Sequence, residues 1–343
     1  NNNYHYHNML KFIFLSLLFY NYSLADELNL FTSRHYEGDN MLFNQFTDKT
    51  GIKVNVVSGK SKVLEKRILE EGEKSKADIL FLADAGALYS SQSKGLFTKL
   101  DQKRYNFISK SLRNDYWVGI TKRARIVFYN PNVTSVNEIK DITYENLADK
   151  KWDKAIAIRQ SNNIYNQSLV ASILEHNGER KTKKWLNGFV KNFARSPQGN
   201  DRAQILMVAS GKAKLAVANS YYYSLMLSGI KGDKQKKAAE KVLPLFPNQN
   251  GRGTHINISG AGILKFSPNK ENALKFLDFL LTEKSQLEFC NNSFEFSVLD
   301  NMKSNKIRNN LNDNFKEDHS IDVTVYGKRQ KEAYVLMKKA GWN

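Results

Sequence analysis

Cysteine is almost absent from this chain: Cys290 is the single one. That excludes an intramolecular disulfide and any cysteine-rich metal site. The signatures G-x-S-x-G and H-E-x-x-H are missing, and so is a phosphate-binding glycine-rich loop. The glycines of "GRGTHINISGAG" do not have dinucleotide spacing. An enzyme is therefore not the expected class. The acidic pair Glu70-Glu71 falls in a charged helical stretch and reads as solvated. After residue 25 no apolar run is long enough to cross a bilayer. Acidic residues are the minority charge: Lys+Arg 52 against Asp+Glu 34 gives a net +18. The basic residues are dispersed, with no long run and no zinc-finger or RNP signature, so no specific nucleic-acid partner is expected. Internal repeats and low-complexity linkers are also lacking.

What is present is an ordinary globular composition, 41% hydrophobic and 25% charged over 343 residues. That length supports two domains with sizeable cores. Residues 10–25 read "LKFIFLSLLFYNYSLA", one lysine before an apolar run and then the small-residue pattern Ser23-Leu24-Ala25. This predicts a secretory signal peptide cleaved after Ala25, with Met9 as the natural start and residues 1–8 an over-extension. No lipobox cysteine stands at that site. An exported, periplasmic, monomeric protein is expected.

Strand-like "ELNLFTSR", helical "MLFNQFTDKTG", strand-like "IKVNVVSG", helical "KSKVLEKRILEEGEKSK" and the continuous apolar "ADILFLAD" follow in order. A β-α-β-α-β alternation predicts a largely parallel sheet with helices on both faces. Ligands of such sheets bind at the carboxyl ends of the strands. The long "YWVGITKRARIVFYNP" reads as a strand crossing between lobes. A second unit follows: "KAIAIRQSNNIYNQS" as strand and loop, two helices separated at "NG", the helix "DRAQILMVASGK" and the strand "AKLAVANS". "KGDKQKKAAEK" reads as a basic gap, "ISGAGILKF" as a return strand, and "GKRQKEAYVLMKKAGW" as a last amphipathic helix. The expected architecture is α/β, a two-lobe clamshell with two crossover strands. The first lobe takes residues 26–122 and 256–300, the second residues 123–255 and 301–343.

"NSYYYS", Asn219 to Ser224, sets three phenols side by side. One reading is a half-buried strand end, since tyrosine suits strands. The other is that two adjacent phenol oxygens converge on a ligand at a helix start.

Five stretches carry a resemblance: "SRHYEGD", "ADILFLADAGAL", "RQSNNIYNQSLVAS", "AVANSYYYS" and "GRGTHINISGAGI". Together, and in this order, they resemble the ferric-ion-binding proteins of bacterial iron ABC importers, of the Fut/Fbp type. The resemblance implies a type II periplasmic-binding-protein fold and an Fe(III) site in the inter-lobe cleft, serving an inner-membrane ABC permease. It implies Tyr36, Tyr165, Tyr221 and Tyr222 as ligands. His35 is a further ligand in some members and otherwise a hydrogen-bonding neighbour. Tyr223 has no ligand role in the pattern and reads as packing.

The chemistry agrees with that set. Fe(III) is a small hard cation that prefers anionic oxygen, and a bound cation holds a phenolate deprotonated at neutral pH. Four phenolates outweigh Fe(III) by one negative charge, which favours nearby cations. Arg34, Arg123, Arg125, Arg202 and Arg252 are the candidates. Arg123 and Arg125, on one strand face, are the preferred pair. Fe(II) with fewer ligands, and an anion completing the sphere, stay open. The rival within the class is a clamshell binder of an organic or anionic solute.

Overall fold

The computed structural model describes residues 26–300, 302, 311 and 314–343. The signal peptide and cleavage site expected over residues 10–25 lie outside these.

The described chain starts with β1 (Glu27–Thr32), α1 (Glu37–Thr50), β2 (Lys53–Ser58), α2 (Ser61–Glu71) and β3 (Ile79–Ala83). β1 pairs in parallel with β2 on one side and β3 on the other. The apolar run of β3 is buried along Ile79 to Leu82, as a strand covered on both faces requires. α1 turns Leu42, Phe43 and Phe46 inward. It stops at Gly51, whose φ of 75° is left-handed and whose amide bonds back to Thr47 O at 2.8 Å. α3 (Ala85–Ser93) follows β3 directly, capped by the Asp84 carboxylate on the Gly86 amide.

β4 (Val118–Tyr129) changes partners along its length. From Val118 to Ala124 it pairs antiparallel with β8 (Ile256–Ile263). From Arg125 to Tyr129 it pairs antiparallel with β6 (Leu215–Asn219). The sheet order is β2-β1-β3-β8-β4-β6-β5, where β5 is Ile156–Ala157. The expected parallel pairing holds within each wound unit, β1 with its neighbours and β5 with β6. The return strand β8 runs antiparallel to both β3 and β4. Two short strands not anticipated in the sequence, β7 (Leu243–Leu245) and β9 (Phe296–Ser297), also pair with β4.

After β4 come α4 (Val136–Ile139), α5 (Ile164–Lys191), α6 (Asp201–Ala209), α7 (Ser220–Leu227) and α8 (Asp233–Ala239). α5 is two helices in one run, broken where expected at Gly178 with φ 81°. The supposed basic gap is in fact α8. Its Ala239 is buried, and the helix packs on α6 and α7. The lysines that obscured it lie on the solvent side. α9 (Lys270–Leu280) and α10 (Glu283–Asn292) are separated at Thr282, whose hydroxyl accepts from the Ser285 amide. The expected last helix is split into Thr324–Lys328 and Gln330–Lys339. The first piece packs on both α3 and α5, the second on α5. Trp342 closes that core, buried against Phe189 and Phe193.

Candidate metal centre

Each of the three segments with a motif tyrosine leaves a strand end and enters a helix. Tyr36 is the N-cap residue of α1, after β1. Tyr165 is the second residue of α5, after β5, with Asn163 capping the Asn166 amide. Tyr221 and Tyr222 lie in the first turn of α7, directly after β6. Helix N-termini carry partial positive charge, so these positions favour anionic oxygen. Tyrosine triplet and helix start coincide because Asn219 keeps extended geometry at the N-cap while Ser220 begins the helix.

The rings meet in one cluster. Tyr36 stands edge-on to Tyr221, centroids 6.0 Å apart at 89°. Tyr221 and Tyr222 lie 4.3 Å apart at 37°. The Arg123 guanidinium is 5.4 Å from the Tyr221 ring centre and 5.9 Å from that of Tyr165. The Arg34 guanidinium is 4.4 Å from the Tyr36 ring centre. Tyr221 is buried and its hydroxyl makes no well-formed hydrogen bond, the Tyr222 phenol being close enough only for a weak one. Tyr223 points elsewhere: its hydroxyl donates to Val242 O at 3.0 Å and its ring packs on Phe128 at 5.4 Å. His35 is exposed.

Burial pushes the Tyr221 phenol well above its ordinary range, and its neighbours Tyr165, Tyr222 and Tyr36 push the same way. Burial and the Glu295 carboxylate raise Tyr36. Burial, then Tyr165, raises Tyr222 to about 12. Without a cation all three phenols are therefore protonated at neutral pH.

Two buried arginines share one buried carboxylate beside this cluster. Arg34 Nη1 contacts Glu295 Oε1 at 2.9 Å, and Arg123 Nη2 contacts Glu295 Oε2 at 3.0 Å. Arg34 also grips Asp39 through Nε at 2.7 Å and Nη2 at 3.0 Å. Thr121 and Ser293 hydroxyls donate to Glu295 at 2.6 and 2.8 Å. Burial alone favours neutral Glu295, but Arg34 and Arg123 outweigh it and keep the carboxyl below its usual range. Burial likewise works against charged Arg123, yet the Glu295 carboxylate holds it protonated. Its Nε and Nη1 have no protein partner. Arg123 thus keeps two N–H donors unpaired beside the phenols.

Arg125 has a different task. Its guanidinium bonds Asn166 Oδ1 at 2.6 Å, Asn219 Oδ1 at 2.9 Å and Asp201 Oδ2 at 3.1 Å. It ties the residue after Tyr165 to the residue that precedes the Ser220-Tyr221 turn. Arg202 bonds Gln235, and Arg252 pairs with Glu145, so neither reaches the phenol cluster. Sequence reasoning missed Glu295, Asp201, Asn166 and Asn219. Glu295 had a signal, a lone acid between two phenylalanines in "FEF". The other three had none beyond proximity to the motifs. Among the described residues no group of three or more His, Cys, Asp or Glu is arranged to hold a metal.

A two-lobed α/β clamshell with polar side chains gathered at strand ends defines an extracellular solute receptor. The chain belongs to the bacterial extracellular solute-binding proteins, whose family profile matches residues 41–320. It is 43% identical over 319 residues to iron uptake protein A1 of Synechocystis, covering 92% of this chain and 87% of that one. It is 28% identical over 271 residues to the major ferric iron-binding protein of Neisseria meningitidis, covering 77% and 78%. In structure it is similar to a Trichodesmium protein, IdiA or FutA, in complex with iron and citrate. There the TM-score is 0.88 and the identity 43%, with 92% of this chain and 100% of that chain covered. A ferric binding protein from Campylobacter jejuni matches at TM-score 0.84 and 36% identity, covering 92% and 100%.

Proposed function

We propose that this protein captures Fe(III) in the cleft between its lobes and hands it to an inner-membrane ABC permease. The ligands in this reading are the phenolates of Tyr36, Tyr165, Tyr221 and Tyr222. The observation that carries it is the convergence of these rings from three chain segments, around a buried Tyr221 hydroxyl that makes no well-formed hydrogen bond. The names of the iron-binding relatives support the same cargo. Arg123 offsets the excess negative charge of four phenolates on Fe(III), and Arg125 holds the loops of Tyr165 and Tyr221 in register. His35 is exposed and stands outside the ring contacts, so it is assigned no bond to iron.

The lobes are residues 26–122 with 256–300, and residues 123–255 with 301–343. The partner change on β4 between Ala124 and Arg125 supports a hinge near that boundary. Among the described residues no helix is long and apolar enough to cross a membrane. Export through the N-terminal signal, cleavage after Ala25, and a periplasmic monomer complete the reading.

Ferric citrate loading at neutral pH, followed by gel filtration and metal analysis, tests it. Stoichiometric iron retained by the protein is expected. An iron-free protein that instead gains thermal stability with an organic solute would replace this reading by the rival one.

A further inference from the structure

α8 and the carboxyl half of α6 frame a groove of about 580 Å³. Five cations line it: Arg195, Lys212, Lys234, Lys237 and Lys241. Among the described residues no carboxylate lines it. Its floor is apolar, with Leu206, Met207 and Ala238 half-buried there. The bland account is that lysines near a helix end simply offset its dipole. That suits Lys237, in the last turn of α8, but not Lys234, which stands in the first turn where a cation is disfavoured. Nor does it suit Arg195, whose Nε is buried with no partner and whose Nη2 makes only long contacts of 3.4 Å to Gln198 O and Gln204 Oε1. The groove therefore gathers positive charge that no carboxylate among the described residues pairs with.

We propose that this groove docks an acidic segment of a partner protein, several carboxylates flanking an apolar side chain. Charge complementarity selects the carboxylates, and the floor of Leu206 and Met207 selects the apolar residue. A planar layer of lipid headgroups meets the exposed lysines but does not reach a concave floor. A nucleic-acid backbone supplies charge without an apolar side chain. The groove contains none of the four tyrosines, so the proposal stands apart from the iron reading.

The test uses a labelled peptide, Glu-Glu-Leu-Glu-Glu-Leu-Glu-Glu, and its all-Glu counterpart, with fluorescence anisotropy as the readout. The groove variant is Lys234→Glu/Lys237→Glu/Lys241→Glu. A variant with the same charge change on α5, Lys181→Glu/Lys184→Glu/Lys191→Glu, separates the groove from net charge. All six lysines are exposed, and circular dichroism checks both folds. The groove variant should weaken the leucine-containing peptide by about tenfold or more, and the α5 variant by about twofold or less. Met207→Ser removes the apolar contact without changing charge, and should weaken that peptide and leave the all-Glu peptide unchanged. Equal losses in the two triple variants would reduce the effect to net charge and overturn the proposal. Groove-dependent binding to vesicles of phosphatidylglycerol and phosphatidylethanolamine, without peptide binding, would overturn it in favour of a membrane contact.

Discussion

The ring of Tyr36 meets the ring of Tyr221 edge-on, 6.0 Å between centroids. Tyr36 arrives from the turn between β1 and α1, Tyr221 from the turn between β6 and α7. One belongs to each lobe in the proposed division, so a cation bound by both would staple the cleft. Iron should then shift the population toward the closed form by as much as it prefers that form. Tyr36→Phe keeps the ring and three phenols of the other lobe. It should bind iron more weakly, keep some colour and lose most of the iron-induced compaction. Small-angle scattering with and without iron measures this, and full compaction in the variant would remove Tyr36 from the ligand set.

The tyrosine triplet offers an internal control. Tyr221→Phe and Tyr222→Phe should each fold normally and lose iron affinity by more than the 10–100-fold that a change outside the ligand shell typically costs, roughly. Tyr223→Phe should leave iron binding intact. It should lower stability by about 1 kcal/mol through the lost bond to Val242 O. Iron competition titrations and urea unfolding of the three variants separate ligand from packing residue. Loss of iron in Tyr223→Phe with retention in Tyr222→Phe would shift the register by one.

Proton release sets the pH dependence. Tyr36 and Tyr221 lie above the ordinary phenol range and Tyr222 near about 12, so iron must displace protons from each. Affinity should fall as pH falls, by about one log unit per pH unit for each proton displaced. The iron-free protein should respond at the other extreme. A raised folded pKa contributes stability that is complete below the unfolded value of 10.0 and lost as pH rises through about 12 for Tyr222. Competition titrations across neutral pH and alkaline unfolding of the iron-free protein check the two halves. A pH-independent iron affinity would contradict phenolate ligation.

Arg125 and Asp201 form a buried pair at 3.1 Å, with side chains 2% and 0% exposed. Removing one partner strands the other charge. Arg125→Met should therefore destabilise the protein by about 3–5 kcal/mol, while Arg125→Met/Asp201→Asn should recover part of that loss. Because Arg125 also bonds Asn166 and Asn219, both variants should weaken iron binding even where they fold. Urea unfolding and iron titration together test this, and an unchanged iron affinity in the double variant would deny Arg125 its positioning role.

The wound units were legible because their periods are strong: β3 is unbroken apolar, and α1 ends on a glycine that the left-handed turn requires. The helix break at Gly178 was legible for the same reason. α8 was not, because its exposed lysines outnumber the alanines that pack it, and local composition hides a helix stabilised by α6 and α7. The tyrosine positions followed from motifs, yet their convergence depends on β4 exchanging β8 for β6, a long-range pairing with no local signal. Glu295 illustrates the same limit. Its role comes from two arginines that reach it from distant segments.

The most direct measurement is the visible absorption spectrum of the purified protein at neutral pH, before and after ferric citrate and removal of excess. Phenolate ligands donate charge to Fe(III) and should give a broad visible band, an orange to red protein. The band should weaken or shift in Tyr221→Phe and in Tyr222→Phe and persist in Tyr223→Phe. Stoichiometric iron without any visible band would contradict tyrosinate capture.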